Sequence, residues 1–221
     1  MDRRRLLNYT YVEPLEVKFV EIKGIRNAQE FGAYIDLQYE PKVTTKIQMK
    51  FTPHNTTGDI IIGVNMTDDW HDWRFFNYGT SYYYDFPTGN GENGTRICDG
   101  YMPLDEKYEL ELGNYYLKNL TTGENILTGE TQTEFNTPIG SLCINRDSKA
   151  NSSSWNTWNY IKIYEDDTLV KDFIPVKLLA KLPANKCSLN KVINKNTLGL
   201  WDKVNEMFYP SSTDDVFIEE E

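Results

Sequence analysis

Cleavage of a glycosidic bond needs two carboxylates flanking it, about 5–5.5 Å apart for a retaining mechanism and about 6.5–9.5 Å for an inverting one. Two pairs in this chain have spacings that bear on that chemistry: Glu109 with Glu111, and Glu165 with Asp167. In Lys107-Tyr108-Glu109-Leu110-Glu111-Leu112 apolar residues alternate with the acids, so both glutamates fall on one face of a strand. Such a face reads first as the wet side of a sheet. Histidine chemistry has little material, since only His54 and His71 are present. A zinc site takes three or four ligands at suitable spacing, and a Ser-His-Asp triad needs a buried acid to orient the imidazole; the sequence suggests neither. The densest polar-aromatic cluster is Asp68-Asp69-Trp70-His71-Asp72-Trp73. Asp68, Asp69 and Asp72 carry hard oxygen ligands and are the calcium candidates, against the plainer reading of an Asp-rich turn over a packed tryptophan. Pyranose rings stack on aromatic faces, which makes Trp70, Trp73, Tyr83, Trp155 and Trp158 a candidate glycan platform; the competing reading puts these rings in the core. Gly89-Asn90-Gly91-Glu92-Asn93-Gly94 lies between strand patterns rather than before a helix, so it is no phosphate cradle.

Strands must position these residues. Thr45-Lys46-Ile47-Gln48-Met49-Lys50-Phe51 alternates cleanly, with Ile47, Met49 and Phe51 inward. Ala33, Ile35 and Leu37 share one face of a strand closed by Pro41. Ile60-Ile61-Ile62-Gly63-Val64 is a continuous apolar run, suited to a strand covered on both sides. Residues 73–78 and 81–86 predict a hairpin around Gly79-Thr80, with Tyr82 and Tyr84 facing one way and Tyr83 the other. A second hairpin runs from Tyr160 to Pro175 through the turn Glu165-Asp166-Asp167-Thr168. Residues 177–182 have the composition of one helical turn before Pro183. Roughly a dozen short strands bounded by turn residues predict an all-β antiparallel sandwich.

The 221 residues include 23 Lys+Arg and 33 Asp+Glu, a net charge of −10, which repels phosphate backbones and argues against nucleic acid as a partner. Cys98, Cys143 and Cys187 are an odd set and predict buried free thiols rather than a disulfide framework. Met1-Asp2-Arg3-Arg4-Arg5-Leu6-Leu7 is basic, but Asn8-Tyr9-Thr10-Tyr11 interrupts the apolar stretch that a secretion signal needs. No run approaches the about 20 residues of a membrane-spanning helix. Synthesis in the cytoplasm without membrane insertion is the expectation. Arg3, Arg4 and Arg5 make residues 1–14 a candidate attachment arm for an acidic partner, and residues 15–221 read as one sandwich domain.

Taken in order, several segments resemble the laminin G-like, concanavalin A-like jelly rolls found in bacteriophage and prophage proteins. Residues 15–21 and 33–37 resemble that family's paired opening strands, and residues 45–51 and 107–114 two of its central ones. Residues 160–175, then Gly199-Leu200-Trp201-Asp202 and Met207-Phe208-Tyr209, resemble its ending. The departures are Asp166-Asp167 where Asn-Gly is common, and a longer connection between Pro175 and Gly199 that contains Cys187. Glycosidases of concanavalin A-like fold often carry Glu-x-Asp-x-x-Glu; here Glu165-x-Asp167 is followed by Val170 where the second glutamate would stand. The resemblance thus implies an antiparallel jelly-roll β-sandwich without catalytic residues: a virion surface protein such as a head fibre, decoration protein or tail-associated adhesin. It implies other virion proteins as partners, a trimeric or multicopy arrangement, and contact with a host-surface glycan. Calcium is bound in places by such folds; no other cofactor is implied. The rival readings are a bacterial or prophage carbohydrate-binding module and a glycoside hydrolase.

Overall fold

The computed structural model of the chain describes residues 16–27, 33–54, 60–65, 73–78, 81–86, 95–114, 116–129, 140–145, 155–213 and 216–220. In chain order they contain β1 (Phe19–Glu21), β2 (Ile25–Asn27), β3 (Ile35–Asp36), β4 (Thr45–Pro53), β5 (Ile60–Asn65) and β6 (Arg74–Tyr78). Next come β7 (Ser81–Phe86), β8 (Thr95–Tyr101), β9 (Tyr108–Gly113), β10 (Tyr116–Asn119), β11 (Asn125–Thr128) and β12 (Ser141–Ile144). The remainder are β13 (Asn156–Glu165), β14 (Thr168–Leu178), β15 (Leu198–Asp202), β16 (Met207–Tyr209) and β17 (Phe217–Glu219). They make an all-β sandwich of two antiparallel sheets. The large sheet runs β11-β10-β9-β4-β13-β14-β15-β16, with β1, β2 and β17 attached; the small one runs β3-β12-β5-β6-β7-β8.

Alternation decides what lies between the sheets. Ile47, Met49 and Phe51 of β4 are fully buried, while Lys46, Gln48 and Lys50 face outward and are half-buried. From the small sheet, Ile61, Ile62 and Val64 meet them as the continuous apolar run requires, together with Phe75 and Tyr84. Phe51 packs edge-on against Phe75 with centroids 6.3 Å apart. Tyr84 Oη donates to the Gly113 carbonyl at 2.8 Å, a polar tie between the layers. A second tie is Asn145, fully buried, whose Oδ1 accepts from Trp158 Nε1 at 2.8 Å and whose amide donates to Asn27. Satisfying these groups matters because an unpaired buried amide costs about 1–3 kcal/mol.

Local chemistry sets the turns. Asp166 (φ 48°) and Asp167 (φ 64°) both sit in the left-handed region, the backbone of a two-residue type I′ hairpin turn. Aspartate tolerates that conformation, so the departure from Asn-Gly leaves the hairpin geometry intact. Two expectations need correction. The strand over residues 33–39 shrinks to Ile35–Asp36, because Gln38 is left-handed (φ 49°) and its amide donates to Asp36 Oδ1. Residues 177–182 are not helical: Lys177 and Leu178 end β14, and the 3₁₀ turn forms later, at Ala184–Lys186.

The large sheet forks. β13 and β14 pair from Ile161↔Phe173 to their turn and then part. β1 takes the freed edge of β14, β2 takes that of β13 at Ile25↔Trp158, and β17 adds to the far side of β2. Gly24 lies in the crotch, where a Cβ would stand 2.9 Å from the Trp158 carbonyl oxygen.

Beyond the fork the outer face of the large sheet is covered. Ile174, Val176, Leu178, Trp201 and Phe208 point away from the small sheet and pack under Leu182, Cys187 and Ile193 of the long connection. That insertion is therefore the lid of a second core. Cys143 and Cys187 are buried free thiols, as the odd cysteine count suggested.

Candidate functional site

The uncovered half of the same outer face carries the candidate site. Register brings its residues into rows. Tyr160, Lys50 and Glu109 lie side by side on β13, β4 and β9. One row along, Lys162, Gln48, Glu111 and Lys118 span β13, β4, β9 and β10. Each glutamate is held twice. Glu109 Oε1 accepts from Tyr160 Oη at 2.7 Å and Oε2 from Lys50 Nζ at 3.0 Å. Glu111 Oε1 accepts from Tyr116 Oη at 2.7 Å and Oε2 from Gln48 Nε2 at 2.8 Å. Tyr164 Oη donates to Gln48 Oε1 at 3.3 Å and extends the row. Gly113 makes the Tyr116 pose possible, since a Cβ there would lie 2.1 Å from the tyrosine ring. Glu111, Asn114, Tyr116, Lys118 and Asn125 line a shallow hollow of 370 Å³ beside the row. At the turn, Lys46 pairs with Asp167 and Lys42 with Glu165.

The electrostatics suit hydrogen bonding more than acid catalysis. Strand spacing puts the Cα atoms of Glu109 and Glu111, on one face of β9, about 6.6–6.8 Å apart, a placement that leaves paired-carboxylate chemistry open to test. A general acid, however, needs its carboxyl pushed upward. The hydrogen bond from Tyr160, then the one from Lys50, hold Glu109 below the usual carboxylate range. Burial first, and then donation to its glutamate, push the phenols of Tyr160 and Tyr116 upward. Both phenols stay protonated donors at any physiological pH.

The sequence-derived platform is not assembled. Trp73 (2% exposed) packs edge-on to Tyr84, and Trp158 (0%) packs against Phe51; both belong to the intersheet core. Period two sends Trp73 inward, the bulge between Trp158 and Tyr160 turns Trp158 inward, and neither leaves a ring face for a sugar, so neither is a glycan contact. Tyr83 is half-buried and stacks on Phe76 with centroids 5.1 Å apart, on the small sheet. Trp155 is half-buried next to the large sheet, with the Arg26 guanidinium 5.8 Å from its ring centroid. The two therefore belong to different sheets. Trp70, the calcium candidates Asp68, Asp69 and Asp72, and the arm residues Arg3, Arg4 and Arg5 lie outside the described residues. Among the described residues no three His, Cys, Asp or Glu side chains converge as metal ligands.

One constellation had no sequence signal. His54 Nδ1 is 2.6 Å from Asp105 Oδ1, and Nε2 is 2.8 Å from Thr157 Oγ1. The partners are 51 and 103 residues away from His54 in the chain, so spacing could not announce them. The order is that of a triad, but the burial is inverted. Thr157 is 2% exposed and shielded from any substrate, while the Asp105 side chain is 76% exposed and open to water. A nucleophile must be reachable and its orienting acid buried. The chain of contacts is a tether that fastens the loop before β9 to β13.

No protein-family model and no curated protein sequence matches this chain. Among solved structures, the full-length tailspike protein 2 of Escherichia coli O157:H7 bacteriophage CAB120 aligns with 68% of this chain at 13% identity and a TM-score of 0.42. The enzymatically active domain of bacteriophage CBA120 tailspike protein 2 aligns with 69% of it at 11% identity and a TM-score of 0.41. The chain spans 24% and 28% of those two chains. A likeness that remote assigns neither a family nor an activity.

Proposed function

We propose that this chain is a non-enzymatic module of a bacteriophage virion surface, a concanavalin A-like jelly roll that contacts host-surface saccharide through the open half of its large sheet. The observation that carries the binding half of this reading is the double row on that face. Two carboxylates, each locked by a tyrosine and a long polar neighbour, present fixed donors and acceptors on rigid strands. Hydroxyl-rich ligands are recognised by such arrays, and a site built on strands needs little ordering when it binds. The virion half rests on the ordered resemblance of residues 15–21, 33–37, 45–51, 107–114, 160–175 and then 199–209 to phage jelly-roll strands. Many weak contacts on a multicopy particle add up by effective concentration.

A glycan array tests the binding half. Wild type binds a subset of neutral saccharides, and the double variant Tyr116→Phe/Glu111→Gln loses that binding while keeping its melting temperature within a few degrees. Binding that survives the double change refutes the site. Mass spectrometry of purified particles tests the virion half, which fails if intact virions lack the protein. A glycosidase reading is favoured by the spacing of Glu109 and Glu111 alone. It predicts reducing-end release from a polysaccharide panel, abolished by Glu111→Gln.

A further inference from the structure

Among the described residues, β17 is hydrogen-bonded along one edge only, to β2. Its other edge borders a groove of about 900 Å³, whose far wall is the end of the long connection, residues 191–198. Val216, Phe217, Ile218 and Glu219 all line this groove. Successive side chains leave opposite faces of a strand, so a cavity touching four consecutive residues meets the strand along its edge. In an antiparallel ladder, alternate residues aim their N–H and C=O groups at that edge. Among the described residues no neighbouring strand or backbone hydrogen bond engages β17 on that side.

Charge singles out the same place. The chain carries a net −10, yet three lysines line the groove, Lys177, Lys191 and Lys195, against one described acid, Glu219. Lys177 pairs with Glu219 at 3.2 Å; Lys191 and Lys195 are exposed and have no ion-pair partner among the described residues. Asp214 and Asp215 lie outside the described residues. Val192 on one wall and Val216 on the other stand 53% and 64% exposed, so each wall carries a solvent-facing aliphatic group. The one aromatic ring among the lining residues, Phe217, is buried and offers no stacking face to a sugar.

We infer that this groove docks an extended acidic segment of a partner protein, added as a further strand on the open edge of β17. Its carboxylates meet Lys191 and Lys195, and its aliphatic side chains cover Val192 and Val216. Strand addition supplies main-chain hydrogen bonds, and side-chain pockets supply selectivity. Lys191 and Lys195 stand on the wall facing that edge and leave an acidic strand as the acceptable one. The site is separate from the tyrosine-glutamate face and does not depend on the saccharide reading.

The test uses the full chain and a fluorescein-labelled, end-blocked alternating Val-Glu peptide, read by anisotropy. The peptide is expected to bind, and its analogue N-methylated at alternate residues to bind at least about tenfold more weakly, since side chains are kept and the ladder is lost. The double variant Lys191→Glu/Lys195→Glu should lose binding by a similar factor or more, with an unchanged melting temperature. A Val-Lys peptide should not bind. The inference is overturned if the N-methylated peptide binds equally, if the charge reversal has no effect, or if an oligogalacturonide displaces the peptide where neutral galacto-oligosaccharide does not. Concentration-dependent self-association in sedimentation, removed by the same double variant, would make the occupant a second copy and equally overturn it. Tyr116→Phe/Glu111→Gln should leave peptide binding unchanged, so this result and the glycan result can fail separately.

Discussion

The two halves of the large sheet's outer face obey one alternation rule and end in opposite states. On β4, β9 and β13 the outward residues are Lys, Gln, Glu and Tyr, and they hydrogen-bond across the strands in water's reach. On β14, β15 and β16 the outward residues are Ile174, Val176, Leu178, Trp201 and Phe208, sealed by Leu182, Cys187 and Ile193 of the connection between β14 and β15. The lesson is that an insertion can turn a sheet's wet face into a core without altering the sheet. It also divides labour: the sealed half anchors, and the open half is free to carry binding groups whose loss the fold survives.

The largest contrast should come from the sealed half. Phe208→Ala removes a fully buried ring and should cost about 3–5 kcal/mol in urea unfolding. Tyr164→Phe on the open half should cost less than about 1 kcal/mol, because it removes one long hydrogen bond. Equal losses would erase the distinction.

Asp202, at the end of β15, is next. Its buried carboxylate accepts from the Asp172 and Val204 amides and from Asn205 Nδ2, and lies 3.4 Å from Lys171 Nζ. Asp202→Asn should cost about 1.5–3 kcal/mol, since it takes the charge from those bonds and leaves Lys171 with Tyr209 Oη alone. A loss of less than half that would mean the inner face of β15, on the other side of the strand from the sealed core, does not need its polar anchor.

The smallest effect concerns acid. Tyr160, then Lys50, depress the Glu109 carboxyl. A group depressed on folding stabilises the fold above its unfolded value, about 4.3 for glutamate, and that contribution fades as pH falls through the lower folded value. Tyr160→Phe should move Glu109 back toward the ordinary value in carboxyl-detected NMR and cost about 0.5–1.5 kcal/mol at neutral pH. It should cost less in acid, once pH has fallen through the lowered folded value and Glu109 is protonated. An unmoved titration would show that the open row is not coupled.

Much of this was legible in the sequence. Period two in residues 45–51 and 107–112 placed both the core and the outward glutamates, and the turn at Asp166-Asp167 placed β13 against β14. The same rule, pressed further, would have retired Trp73 as a sugar contact, because it continues the inward series of Phe75. Trp158 has the parity of outward Tyr160 and Lys162 and is turned inward by the bulge between Trp158 and Tyr160, which alternation does not announce. What could not be read is what register supplies. The bonds from Tyr160 to Glu109 and from His54 to Thr157 join residues far apart in the chain, and nothing local specifies which strands become neighbours. The lid over the second core was hidden for a similar reason: residues 179–197 show no clean periodicity, and their apolar members matter only where they land.

The fork has a consequence for how the molecule is made. β2 cannot finish its ladder until β17 has left the ribosome, since Asn27 pairs with Phe217. At about 5–20 residues per second, the early strand waits roughly 10–40 s for its mate. Through that interval β1 can pair with β14 and β2 with β13, but the far edge of β2 stays open, and the loop closure from Asn27 to Phe217 comes last. The crotch at Gly24 is therefore where nascent chains stay longest open to chaperones and to each other, and where amide exchange in the finished protein should begin.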